Sequence, residues 1–89
     1  MPVSSAPPAS AWHAAAYAPG GVLVLLNDLA DIRQGLYLVQ SVSQGWATLW
    51  ELDDDPTTER LRKTGSYKVI PLALFAFFMP TGIRLARAH

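Results

Sequence analysis

Residues 34–55, QGLYLVQSVSQGWATLWELDDD, constrain the fold more than any other stretch of the chain. Two alternating runs, 36–42 and 46–52, flank Ser43-Gln44-Gly45 and read as a β-hairpin. A two-residue Gln44-Gly45 loop would set Leu38 opposite Glu51 and Leu36 opposite Asp53, mixing apolar and acidic groups. A three-residue loop sets Val42 opposite Trp46, Gln40 opposite Thr48, Leu38 opposite Trp50 and Leu36 opposite Leu52. Six of those eight side chains are large and apolar. It also puts Gly45 third in the loop, where a turn followed by a bulge needs positive φ. A one-residue slip exchanges the two faces, so the pattern predicts the three-residue loop. On this reading Trp46 and Trp50 are core residues, and Tyr37 and Glu51 lie on the other face.

The flanking segments complete a β-rich plan. VLVLLN at 22–27 reads as a buried strand between Gly-Gly and Asn-Asp, and 28–35 as a loop or single helical turn. In DDDPTTERLRKTG, the signals are those of a short helix. Asp55 suits the N-cap, Pro56 the first turn and Gly65 the residue past the end, with Arg62 and Lys63 in the last turn. A hairpin or disordered excursion is the alternative. YKVIPLALFAFF at 67–78 is dense enough for a buried strand, with Pro71 confining it to an edge or bulge; 73–78 reads equally well as helix. Pro80-Thr81-Gly82 predicts a turn before a last strand at 83–88. With Phe75 and Phe77 on one side of a strand and Phe78 on the other, both faces of that segment ask for cover.

Residues 1–21 differ from the rest. They hold four prolines and no Asp, Glu, Lys or Arg, which predicts an extended arm, with at most a helical turn around 11–18. Trp12, His13 and Tyr17 give this arm apolar anchors. The expected organisation is an Ala/Pro/Ser-rich arm over 1–21 and a small β-barrel domain over 22–89. Five short strands with tight turns and one longer loop predict a mainly β fold, a partly open barrel with one short helix at most. In strand count and spacing, though not in any motif, this resembles the SH3-like or Tudor-like layout.

Composition narrows the chemistry. The chain has 89 residues, 51% of them hydrophobic, so one small core must form without the help of disulfides, since cysteine is absent. That absence also excludes thiolate catalysis and Cys-ligated zinc. Both histidines, His13 and His89, fall near the ends, and no Ser/His/Asp set or glycine-rich phosphate loop is present. The Asp53-Asp54-Asp55 run lacks the alternate spacing and glycine of a calcium loop, and strand ending plus helix capping account for it. The reading is therefore non-enzymatic, with no cofactor and no metal. The longest apolar run, 69–79, is eleven residues broken by Pro71, well short of the ~20 that a membrane span needs. No basic, apolar leader of the classical secretory kind is evident, so the expected location is cytoplasmic or within a macromolecular assembly.

Charge is balanced overall but divided along the chain. Up to Asp55 there are six acids against one base, and beyond it one acid against six bases. Folding could turn this into a bipolar surface, or interleave the two sets. An apolar-rich neutral domain with an arm and several aromatics predicts a protein–protein interaction module, whose partner is another protein or a second copy. Assembly, adaptor or accessory structural roles fit, as in a virion or similar particle. The interface candidates are Trp12, Tyr17, Tyr37, Arg60, Arg62, Lys63, Tyr67 and Phe78. The alternative is a small nucleic-acid-binding or regulatory domain, in which Arg60, Arg62, Lys63 and Lys68 beside Tyr67 would form the contact; neutral net charge argues against it.

Overall fold

A computed structural model describes residues 16–55 and 60–85. Residues 1–15 of the arm expected over 1–21, residues 56–59, and residues 86–89 with the end of the strand expected over 83–88 lie outside them. The described residues form one antiparallel sheet with strands β1 (Gly21–Leu25), β2 (Gly35–Ser43), β3 (Trp46–Asp55), β4 (Arg60–Pro71) and β5 (Phe78–Arg84). Their order across the sheet is β4-β3-β2-β1-β5, so the sheet is open, with β4 and β5 as its edges. A 3-10 helix, Leu72–Phe77, carries the chain from one edge to the other. The fold is thus mainly β with one short helical segment, as the strand count predicts.

The 36–52 hairpin forms, but with a different turn. Gln44 and Gly45 alone make the loop, with φ of 52° and 83°, the double positive φ of a twisted two-residue hairpin turn. Register at the far end is the one expected: Leu36 faces Leu52 and Leu38 faces Trp50. The two are reconciled by a bulge between Val39 and Ser41, where Gln40 is the additional residue. Ser43 therefore faces Trp46, and Val42 faces Ala47. The turn supplies its strand-matched twist, and the bulge restores the register that side-chain packing demands.

The larger correction concerns which face is buried. The main core is built from Tyr37, Val39, Ala47 and Leu49 with Leu23, Leu25, Ile32, Ile70 and Phe78. That is the face opposite the two tryptophans. β1 decides it: Leu23 lies across from Tyr37, and the pair shares this face with Phe78. The 3-10 helix lays Leu72, Leu74 and Phe75 against the same cluster. Its first amide donates to the Gly45 carbonyl at 3.0 Å, tying it to the β2–β3 turn. The Leu36/Leu38/Trp50/Leu52 face keeps a smaller cluster, centred on Val22, Leu38 and Leu52. Trp46 is 52% exposed, so it is a surface residue and not part of the core.

Three local readings are also revised. The helix proposed between Asp55 and Gly65 does not form: β3 continues to Asp55, and β4 starts at Arg60. Gly65 adopts φ of 101° inside a two-residue bulge of β4, opposite Glu51, instead of ending a helix. The strand expected over 67–78 stops at Pro71, which has no amide to extend the ladder, and the helical alternative holds from Leu72. Pro80-Thr81-Gly82 is a bulge within β5 and not a turn between strands. There the Thr81 hydroxyl donates to the Val22 carbonyl at 2.7 Å, anchoring β5 on β1.

The face assignment is tested by truncating one residue on each side of β3. Leu49→Ala should cost about 2–5 kcal/mol of unfolding free energy in urea titrations. Trp46→Ala should cost under about 1 kcal/mol. Equal losses at the two sites would contradict the assignment.

Candidate interaction surface

The same alternation that buries Leu49 turns Trp46, Thr48 and Trp50 outward. β4 pairs with β3 so that Pro71 lies opposite Trp46, Val69 opposite Thr48 and Tyr67 opposite Trp50. A short apolar strip results on the outer face of this ribbon. Tyr67 is 56% exposed and Val69 52%, much like Trp46. Trp50, half-buried, packs its ring on Tyr67 with centroids 5.2 Å apart and planes tilted by 54°. Its indole N–H is buried and meets no acceptor among the described residues. The Lys63 ammonium stands 5.0 Å above the Trp50 ring and donates to Gln40 Oε1 at 3.2 Å, so the strip ends in a cation.

Charge on this ribbon is interleaved. Arg62 lies opposite Asp53 and Arg60 opposite Asp55 across the β3–β4 ladder. Lys68 reaches Asp31 at 3.9 Å, linking β4 to the loop after β1. Arg60, Arg62 and Lys68 thus fold back beside acids of the preceding half, so part of the charge split along the sequence is interleaved in the fold. The same ladder replaces helix capping as the setting of the aspartate run. Among the described residues no three His, Cys, Asp or Glu side chains come together as a metal site. No helix among them is long and apolar enough to cross a membrane.

The interface candidates named from the sequence separate into distinct places. Tyr37 and Phe78 are each 1% exposed and pack edge to face at 5.7 Å, as core residues. Neither presents a side chain to a partner. Tyr17 stacks on Phe75 at 4.7 Å and donates to the Phe78 carbonyl at 2.5 Å, which pins the chain entering β1 against the core. Arg60, Arg62 and Lys63 are exposed on β4, with Tyr67 further along the same strand. Trp12 lies outside the described residues. Of the three phenylalanines, only Phe77 is largely exposed. Val69 and Trp46 were missed as surface residues. In YKVIP, Tyr67, Val69 and Pro71 alternate with Lys68 and Ile70. Lys68 marks its own face as the polar one, so the alternation points Val69 inward, whereas Ile70 is the buried residue.

No known protein family matches this chain, no curated protein is recognisably similar to it in sequence, and no solved structure matches its fold.

The two anchoring tyrosines carry a pH signature. Burial pushes the Tyr37 hydroxyl above the ordinary tyrosine range, the Glu51 and Asp28 carboxylates add to the effect, and Arg33 opposes it. Burial alone raises Tyr17. Both phenols are held protonated by the fold, Tyr37 by donating to the Arg33 carbonyl at 2.6 Å. A folded-state pKa above the unfolded value gives stability that is complete below about pH 10 and falls as pH rises through the folded value. The urea midpoint should therefore decline above about pH 10. The decline should be shallower in a Tyr17→Phe/Tyr37→Phe double variant. Identical slopes in the two proteins would contradict the assignment.

Proposed function

We propose that this chain is a non-catalytic protein–protein interaction module, an assembly, adaptor or accessory structural protein held in a larger complex. The observation that carries the reading is the in-register strip of Trp46, Val69 and Tyr67, each more than half exposed on a domain with a separate, filled core. Large aromatic side chains left in water at one spot favour burial against a partner, and Trp and Tyr are the usual anchors of such contacts. Beyond the strip the same two strands carry Arg60 and Arg62 alongside Asp53 and Asp54, so the ribbon bears charges of both signs, which suits a protein surface with mixed charge. The fold reads best as a partly open barrel of SH3-like layout. In support, the two edge strands β4 and β5 are joined by one short 3-10 helix. An extended N-terminal arm belongs to the same reading, as does a location in the cytoplasm or within an assembly.

One specific observation favours a second reading, nucleic-acid binding. Lys63 over the Trp50 ring beside Tyr67 joins a cation to two aromatic faces, the elements that hold single strands. The acids interleaved on the same ribbon weigh against it, because backbone phosphates need net positive charge.

A photo-crosslinking residue placed at Tyr67, in the cells that make the protein, separates the two. The module reading predicts discrete protein adducts from position 67 and none from Ser41, an exposed control on β2. Absence of adducts beyond the control would contradict it. So would strong, salt-sensitive quenching of tryptophan emission by single-stranded DNA or RNA, which would establish the second reading.

A further inference from the structure

Where the aromatic strip ends at Lys63, an open cleft of about 600 Å³ begins. Its floor is Leu38, Leu52, Leu61 and Leu85, the side chains that pack with Val22 in the smaller cluster. Leu61 belongs to β4 and Leu85 follows β5, so the cleft lies where the two edges of the sheet approach without pairing. Pro19 and Gly20 also line it, and this wall is tied down on both sides. The Gly20 amide donates to the Val39 carbonyl at 2.9 Å, and the Gly20 carbonyl accepts from the Leu85 amide at 2.9 Å. Arg84 donates to the Pro19 carbonyl at 2.8 Å. The polar side chains of the lining are Gln40, Arg62 and Lys63, all exposed. Gln40 is the additional residue of the β2 bulge, and its Oε1 accepts from the Lys63 ammonium at 3.2 Å. The bulge thereby holds a cation at the edge of the cleft.

We propose that this cleft binds a small amphiphile, an aliphatic chain ending in an anionic head such as a carboxylate. The site goes beyond the protein contact assigned to the aromatic strip, because its ligand is a small molecule held on other residues. Three features select this chemistry. The volume falls within the range of small-molecule sites, about 300–1,000 Å³. The floor is leucine, and no aromatic side chain lines the cleft. A base or other flat ring therefore has nothing to stack on, whereas a flexible alkyl chain gains by covering apolar surface. Two of the lining residues are cations and none is Asp or Glu, so the local field favours a negative head group. Among the described residues neither Arg62 nor Lys63 is held in an ion pair. Both are thus available to give a carboxylate charge-assisted hydrogen bonds while its chain lies over Leu38 and Leu52.

Titrations of the full chain with ¹³C-labelled leucine methyls separate head from tail. Decanoate, kept below its micelle-forming concentration, should shift the methyls of Leu38, Leu52, Leu61 and Leu85 along a saturating curve. Leu29 and Leu72, packed on the opposite face, should not move. Butanoate, which has the head without the tail, should give no saturating shift over the same range. Decyltrimethylammonium, which has the tail with the opposite charge, should bind at least about fivefold more weakly than decanoate. An Arg62→Gln/Lys63→Met variant should lose that preference while its Leu29 and Leu72 signals stay at their native positions. The proposal is overturned if decanoate leaves the four leucines unmoved, or if Leu29 and Leu72 shift with them. It is also overturned if butanoate matches decanoate, if the two ten-carbon ligands bind the native chain equally, or if the variant keeps the preference.

Discussion

The contact on which the rest of the structure depends is the burial of the Tyr37 ring against Phe78, edge to face at 5.7 Å. It joins the central strand β2 to the C-terminal edge strand β5, across β1, whose Leu25 is paired with Phe78. The hydroxyl is satisfied locally, donating to the Arg33 carbonyl, so the ring is buried without an orphaned donor. Once Tyr37 points inward, the two-residue period of a strand does the remainder. Val39 follows it inward, and Leu49 and Ala47 meet them from β3. Trp46 and Trp50 are then obliged to face out. The exposed aromatic strip is a consequence of the core and not a separate feature.

This dependence also explains what could be read from the sequence. The strands of the hairpin and the pairing of Leu36 with Leu52 and Leu38 with Trp50 were legible, because alternation and spacing are local properties. The choice of inner face was not. Both faces of β2–β3 are apolar: Tyr37, Val39 and Leu49 on one, Leu36, Leu38, Trp50 and Leu52 on the other. Counting hydrophobic groups favours the second set. The first set wins because Leu23 and Phe78, far away in sequence, arrive on that side.

The region after Asp55 failed for a related reason. Its Asp-Pro start and Gly65 end are genuine helix signals, but they are worth only about 1 kcal/mol apiece. Extending the ladder places Arg62 and Arg60 opposite Asp53 and Asp55, and a bulge absorbs Gly65 at a φ that suits it. Tertiary pairing overrides propensity here. The same pairing reduces the charge split seen along the chain, since the aspartate run and the Arg60–Lys68 bases lie on neighbouring strands. What remains on that ribbon is a neutral surface with aromatic side chains at its middle, which suits a protein partner better than a polyanion.

Tyr37 facing inward is therefore the claim that matters, and a two-dimensional NOE spectrum of the free protein tests it most directly. The account predicts strong cross-peaks from the Tyr37 ring to the Phe78 ring and to the methyls of Leu23 and Leu49, with the Trp46 ring joined to none of these. Cross-peaks tying Trp46 to Leu38 and Leu52, with Tyr37 lacking any contact to Phe78, would contradict it.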